Sequence, residues 1–103
     1  MKTIDAEAAA QLMEGGALMV DVREAGEFAQ ARIPGSVNVA LSEFEASDIP
    51  AAEGQPVVFF CQSGNRTRVH AARLAARNAD AYVLGGGIIE WAQAGLPIET
   101  GSD

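Results

Sequence analysis

Val57-Val58-Phe59-Phe60-Cys61-Gln62-Ser63-Gly64-Asn65-Arg66-Thr67 is the stretch from which the rest of the chain can be read. Its first four residues are apolar and rich in β-formers, and Pro56 suits the first position of a strand. A short strand buried on both faces is expected there. The chain then changes character. Val69 to Arg77 contains Ala71, Ala72, Leu74, Ala75 and Ala76 with no glycine or proline, which predicts a helix. Between strand and helix lies the only cysteine, on a loop where Gly64 allows backbone N–H groups to turn inward. Such donors, with the start of a helix behind them, favour negative charge and so favour a thiolate. A lone cysteine is ordinarily an inert small hydrophobe. Its position at a strand end, ahead of Gly64 and Arg66, makes Cys61 a candidate nucleophile instead.

Outward from this stretch, strand and helix signals alternate. Thr3-Ile4 reads as a short edge strand. Asp5 is placed to cap an alanine-rich helix reaching Met13, and Gly15-Gly16 stops it. Leu18-Met19-Val20 is a second buried strand, ending in the charged run Asp21-Val22-Arg23-Glu24. The carboxyl end of a strand is where open α/β sheets place their sites, so Asp21 and Arg23 are site candidates, with Asp21 equally able to cap the next turn. A short helix is expected over Ala25 to Ala31, with Phe28 facing the core. Ile33-Pro34-Gly35-Ser36 is a turn, and Val37-Asn38-Val39 a third strand. Leu41 to Glu45 opens an acidic helix with Ser42 as its cap, and Asp48 to Pro56 is a surface connection. After the cysteine loop come a strand at Ala81 to Leu84 and a helix from Ile88 to Ala94 ended by Gly95. Leu96-Pro97-Ile98 is an extended segment, and Thr100 to Asp103 is expected to fray. The pattern predicts a mostly parallel sheet covered on both faces, one domain over residues 1–103. Gly85-Gly86-Gly87 lacks the G-x-G-x-x-G form of a dinucleotide site, and close approach to another loop explains it better. Trp91 and Tyr82 are assigned to packing, with the indole a candidate to roof part of the pocket.

Composition narrows the function. Hydrophobic residues make up 49% and charged residues 20% of the 103, as in an ordinary soluble domain. One cysteine allows no disulfide framework, no resolving thiol and no cysteine-based metal site, and no cofactor is implied. The amino terminus has no basic region followed by an apolar run, so a cytoplasmic location is expected. A net charge of −7 argues against nucleic acid or an anionic membrane as partner. The charge is unevenly spread. From Gly54 to Ala79 there are four arginines (Arg66, Arg68, Arg73, Arg77) and no acid, whereas the rest of the chain holds all fourteen acids and three bases. A solvated helix face accounts for part of this, since Arg66, His70, Arg73 and Arg77 follow helical spacing. Arg66 lies within the cysteine's own turn and is the candidate side-chain contact for an anion.

Four landmarks, in order, resemble those of the rhodanese family: Asp21-Val22-Arg23-Glu24, Arg32-Ile33-Pro34-Gly35-Ser36, Cys61 through Thr67, and Gly86-Gly87 followed by Trp91. The similarity runs from about Ile4 to Ile98. It implies a five-stranded parallel sheet with helices on both sides, and a cysteine that accepts a sulfur atom as persulfide and passes it on. Two positions depart from the commoner pattern. Arg32 stands where histidine is usual, and Gln62 stands where arginine is frequent.

The resemblance fits the chemistry that the residues offer. A Cys61 thiolate attacks the outer sulfur of a donor such as thiosulfate, and sulfite leaves, as in exchange at sulfur. N–H groups of Gln62, Ser63, Gly64, Asn65 and Arg66 then hold the terminal sulfur, with Arg66 and Arg23 as side-chain contacts and Asp21 and Thr67 as structural support. A thiol or cyanide collects the sulfur, with a thioredoxin-like or other sulfur-accepting protein as a possible cellular partner. Two other classes compete. A cysteine-dependent phosphatase or arsenate reductase uses a similar cradle but spaces cysteine and arginine by five residues, whereas four separate Cys61 from Arg66. A non-catalytic rhodanese-like binding module is the other, and such modules commonly lose the cysteine.

Overall fold

The computed structural model describes residues 1–78 and 80–101. Its elements run β1 (Lys2–Ile4), α1 (Ala6–Glu14), β2 (Leu18–Asp21), α2 (Ala25–Gln30), β3 (Ala31–Arg32), β4 (Val37–Asn38), a 3₁₀ helix (Leu41–Ala46), β5 (Val57–Phe60), α3 (Asn65–Val69), α4 (Ala71–Ala75), β6 (Ala81–Leu84), α5 (Gly87–Gln93) and β7 (Glu99–Thr100). Five strands form one parallel sheet in the order β1-β6-β5-β2-β4. The expected strands are all in it, with the amino-terminal one at an edge.

β5 is buried at every position and occupies the centre of the sheet. Successive side chains of a strand point to opposite faces, so β5 feeds two cores. Val58 and Phe60 join Ala6 and Ala9 of α1 and Ile88 and Trp91 of α5 on one face. Val57 and Phe59, continued by Cys61, join Leu41 and Phe44 of the 3₁₀ helix and Leu74 of α4 on the other. Both faces are therefore covered, and the carboxyl ends of β2, β5 and β6 are left as the open edge where polar chemistry can sit. Asp5 caps α1 by accepting the Ala8 N–H at 2.9 Å, as expected.

Several local expectations need correcting. The helix expected over Val69 to Arg77 begins earlier, at Asn65, and is divided at His70, whose backbone (φ −104°, ψ 21°) leaves the helical region. Its first turn is part of the cysteine loop, so tertiary demand outweighs the weak helix preference of Asn65 and Thr67. Ser42 does not cap the following helix. That helix is 3₁₀, it starts after Ala40, and the Ser42 hydroxyl donates to the Glu24 carboxylate instead. Phe28 is only half-buried, and the Arg32 guanidinium lies 5.6 Å from its ring centre. Thr100 is not frayed, since β7 pairs antiparallel with β3, an interaction with no sequence signal; Ser102 and Asp103 lie outside the described residues. Arg32 secures this ribbon through an ion pair with Glu99 at 2.8 Å and a bond to the Gly101 carbonyl at 3.0 Å. Trp91 does not roof the cysteine. It packs on the opposite face and donates its indole N–H to the Pro97 carbonyl at 2.7 Å. No helix among the described residues is long and apolar enough to cross a membrane.

The 3₁₀ helix is held by arginines. Arg77 donates to the Phe44 and Ser47 carbonyls, both at 2.6 Å, and Arg73 to the Leu41 carbonyl at 2.9 Å and to Glu45. Both guanidiniums lie over the Phe44 ring, whose edge meets Phe59. Phe44 is fully buried, so Phe44→Ala removes the support of this face and should cost about 3–5 kcal/mol in chemical denaturation. A loss under about 1 kcal/mol would mean that the arginines hold the segment without it.

Candidate active site

Cys61 follows β5 directly and is 1% exposed. The loop after it turns at Gly64, whose φ of +96° is the left-handed conformation that glycine adopts without strain. This turn brings the Gly64 N–H to 3.2 Å from Sγ and the Thr67 hydroxyl to 3.8 Å. Thr67 is itself buried, and its hydroxyl has the Gly64 carbonyl at 3.1 Å as well as Sγ within reach, so that its one proton is shared between the two acceptors. Burial alone pushes the thiol pKa up. The backbone N–H groups of Thr67 and Gly64, the Thr67 hydroxyl and the Arg66 N–H outweigh it, so the Cys61 pKa falls below the ordinary thiol value. The donors of the cradle therefore include residue 67, one beyond the expected 62 to 66.

The glycines after β6 explain why the loop closes. A Cβ on Gly64 would collide with the Gly85 carbonyl, and one on Gly87, at φ +65°, would collide with the Cys61 and Gln62 carbonyls. The two loops touch backbone to backbone. Ile88 N–H donates to the Cys61 carbonyl at 2.9 Å and Ile89 N–H to the Gln62 carbonyl at 3.1 Å. The triple glycine is thus a loop-to-loop contact, as its pattern implied.

Asp21 and Arg23 form a buried pair at the end of β2, with Arg23 only 3% exposed. Arg23 Nε lies 3.0 Å from both Asp21 oxygens and Nη2 lies 2.7 Å from Oδ2, while the Arg23 backbone N–H donates to Oδ1 at 2.9 Å. The rest of the guanidinium donates to the Ala31 carbonyl at 2.6 Å and to Gln62 Oε1 at 3.2 Å. Arg23 thus reaches the cysteine loop through Gln62, an acceptor that an arginine at position 62 would not supply. Ser63 and Asn65 are exposed, and Asn65 accepts from Arg68.

Arg66 is not an uncommitted cation. Its Nη1 and Nη2 donate to the two Glu27 oxygens at 2.7 and 2.9 Å, a fork filled by one carboxylate. Arg66 chiefly, by hydrogen bonding, holds the Glu27 carboxyl to about 2. Glu27 was not singled out from the sequence. Its one signal, the spacing of Glu24 and Glu27 as a capping box, is realised when Glu27 accepts the Glu24 N–H at 3.1 Å, but nothing in it points to a residue 39 positions away.

A family model described as a rhodanese-like domain matches residues 5–94. The chain belongs to that family. Among rhodanese-like relatives, the thiosulfate sulfurtransferase GlpE of Pseudomonas savastanoi pv. phaseolicola is 38% identical over 103 residues, covering 96% of this chain and 93% of that one. An uncharacterized protein of Synechocystis sp. is 38% identical over 81 residues; the match covers 78% of this chain and 45% of that protein's length. A rhodanese-related protein of Thermoplasma volcanium has the same fold, with a TM-score of 0.84 at 23% identity, covering 96% of this chain and 98% of that one.

Two outcomes test this geometry. The rate of Cys61 alkylation by iodoacetamide should rise with pH and level off with a midpoint below that of a free thiol, because the thiolate is the reacting form. In Thr67→Val, which loses the hydroxyl near Sγ, the midpoint should move up; an unmoved midpoint would show that backbone donors act alone. Separately, Asp21→Ala leaves Arg23 buried without its carboxylate and should lower unfolding free energy by about 3–5 kcal/mol. Urea denaturation that finds wild-type stability would exclude the pair as a structural element.

Proposed function

We propose that the chain is a sulfurtransferase that carries sulfane sulfur on Cys61. The observation that supports this most is the inward set of N–H donors around Sγ, with Gly64 N–H at 3.2 Å. The same donors that favour a thiolate favour a persulfide anion one bond further out, so the charge stays in one preorganised environment through the reaction. The thiolate forms a bond to the outer sulfur of a thiosulfate-type donor. The sulfur–sulfur bond of the donor breaks, its electron pair leaves with sulfite, and no proton must move. A thiol or cyanide then removes the terminal sulfur and regenerates the thiolate, a double-displacement cycle. The acceptor in the cell is proposed to be a thiol, carried by a thioredoxin-like or other sulfur-accepting protein. The likeness to proteins named thiosulfate sulfurtransferase supports the same reading.

Phosphoryl or arsenate chemistry fits less well. Only four residues separate Cys61 from Arg66, and the Arg66 fork that would grip a tetrahedral oxyanion is occupied by Glu27. A role as a binding module alone leaves the retained cysteine, and the Gly64 N–H aimed at its sulfur at 3.2 Å, without purpose.

Incubation with thiosulfate should add the mass of one sulfur atom to the protein, and cyanide or a reductant should remove it. Cys61→Ser should show neither the adduct nor turnover. Wild-type transfer by the serine variant would sink the mechanism, and so would the absence of any adduct in the wild type.

A further inference from the structure

We propose that Glu27 sets the charge of the sulfur donor, turning the site away from dianions such as thiosulfate and toward monoanionic donors of the thiosulfonate type. This rests on the reading of Cys61 as a sulfur carrier. The cradle provides backbone dipoles, enough for the single charge of a thiolate or persulfide. A dianion brings a second charge, on the sulfonate group, which needs a cation. Arg66 is the arginine in the cysteine's own turn, and both prongs of its fork are bonded to Glu27 at 2.7 and 2.9 Å. Glu27 is itself fixed by the Glu24 N–H, so the carboxylate does not swing aside freely. Arg23 is matched by Asp21 in the same manner and buried. Gln62 adds no charge. Arg68 bonds to the Asn65 amide oxygen and lines a cavity with Gly64, Thr67 and Gly85, whose lining does not include Cys61. Arg66 and Arg23 are thus each already neutralised by a carboxylate of this chain, and Arg68 is engaged by an amide beside a cavity that Cys61 does not line.

Thiosulfate and methanethiosulfonate form a matched pair of probes. In each, the Cys61 thiolate bonds to the terminal sulfur, the sulfur–sulfur bond breaks, and its electron pair departs, with sulfite from the first and methanesulfinate from the second. The donors differ by one charge and share the transferred atom. Glu27→Gln keeps the shape and the acceptor for the Glu24 N–H while removing the charge that holds Arg66. The variant should raise kcat/KM for thiosulfate on the order of tenfold, the scale of one charge-assisted hydrogen bond, and alter that for methanethiosulfonate by less than about threefold. Cys61 alkylation measured in parallel separates a change in the thiol from a change in donor binding. In the wild type, kcat/KM for thiosulfate should be nearly flat from low to raised salt, and in Glu27→Gln it should fall with salt as an exposed cation is screened. Equal effects on the two donors, or a steep salt dependence in the wild type, would overturn the assignment. The wild-type salt series needs no variant and decides the question even if Glu27→Gln does not fold. If neither donor adds sulfur to wild-type Cys61, the sulfur-transfer reading itself fails and this inference falls with it; if both do and only the donor ratio is unmoved, Glu27 alone is excluded.

Discussion

The site depends on one backbone contact, that between the loop after β5 and the loop after β6. A peptide group is planar and trans, so its C=O and N–H point in opposite directions. Drawing the Cys61 and Gln62 carbonyls onto the Ile88 and Ile89 N–H groups turns the Gln62 and Ser63 N–H groups the other way. The left-handed turn at Gly64 then adds its own N–H to the sulfur. A side chain at Gly64 or Gly87 would force the two loops apart, and the inward donors would go with them. The environment of the Cys61 sulfur is in this sense written in a pair of glycines 23 positions apart, more than in the cysteine itself.

Asp21 and Arg23 solve a different problem. Burying a charge is costly unless it is paired and its remaining donors are used. Here each is: Asp21 takes three side-chain contacts and the Arg23 N–H, and the spare guanidinium donors go to Ala31 and Gln62. Among the described residues no buried side-chain polar atom lacks a partner. The pair ties the end of β2 to β3 and to the cysteine loop, so it fixes relative positions of three segments far apart in sequence. Its value to the site is in register and orientation, since hydrophobic residues of the same volume could supply comparable stability.

Most of the architecture is legible in local sequence because it follows from local physics. Val57 to Phe60 can only be a strand buried on both sides, and the glycine stops and the Asp5 cap act within a turn of where they stand. The candidate nucleophile is legible for the same reason, as a cysteine placed between strand and glycine. What sequence did not disclose is what depends on distant partners. β3 and β7 are two residues each and pair across 67 and 69 positions, with no hydrophobic period to announce them. The helix after Cys61 starts in its first-turn polar residues because the sulfur needs their N–H groups, against the preference of those residues. Ser42 reads as a cap because serine favours that position, yet the helix begins one residue ahead of it, and both its N–H and its hydroxyl donate to the distant Glu24 carboxylate.

The arginine-rich segment shows how a charge count can mislead about a site. Four arginines without an acid from Gly54 to Ala79 suggest an open positive field, and in the folded chain that field is largely spent. Glu27 takes Arg66, Glu45 takes Arg73, and two carbonyls take Arg77. The acids come from α2 and the 3₁₀ helix, the elements that precede the segment in sequence and flank it in space. Arginine suits this work because its planar fork matches a carboxylate or a pair of carbonyls in fixed geometry. The charge asymmetry of the sequence is therefore the trace of an assembly rule, by which acids of the first half clasp a basic segment of the second. What faces the Cys61 sulfur is chiefly backbone: N–H dipoles that favour one negative charge on it and carry no net charge of their own.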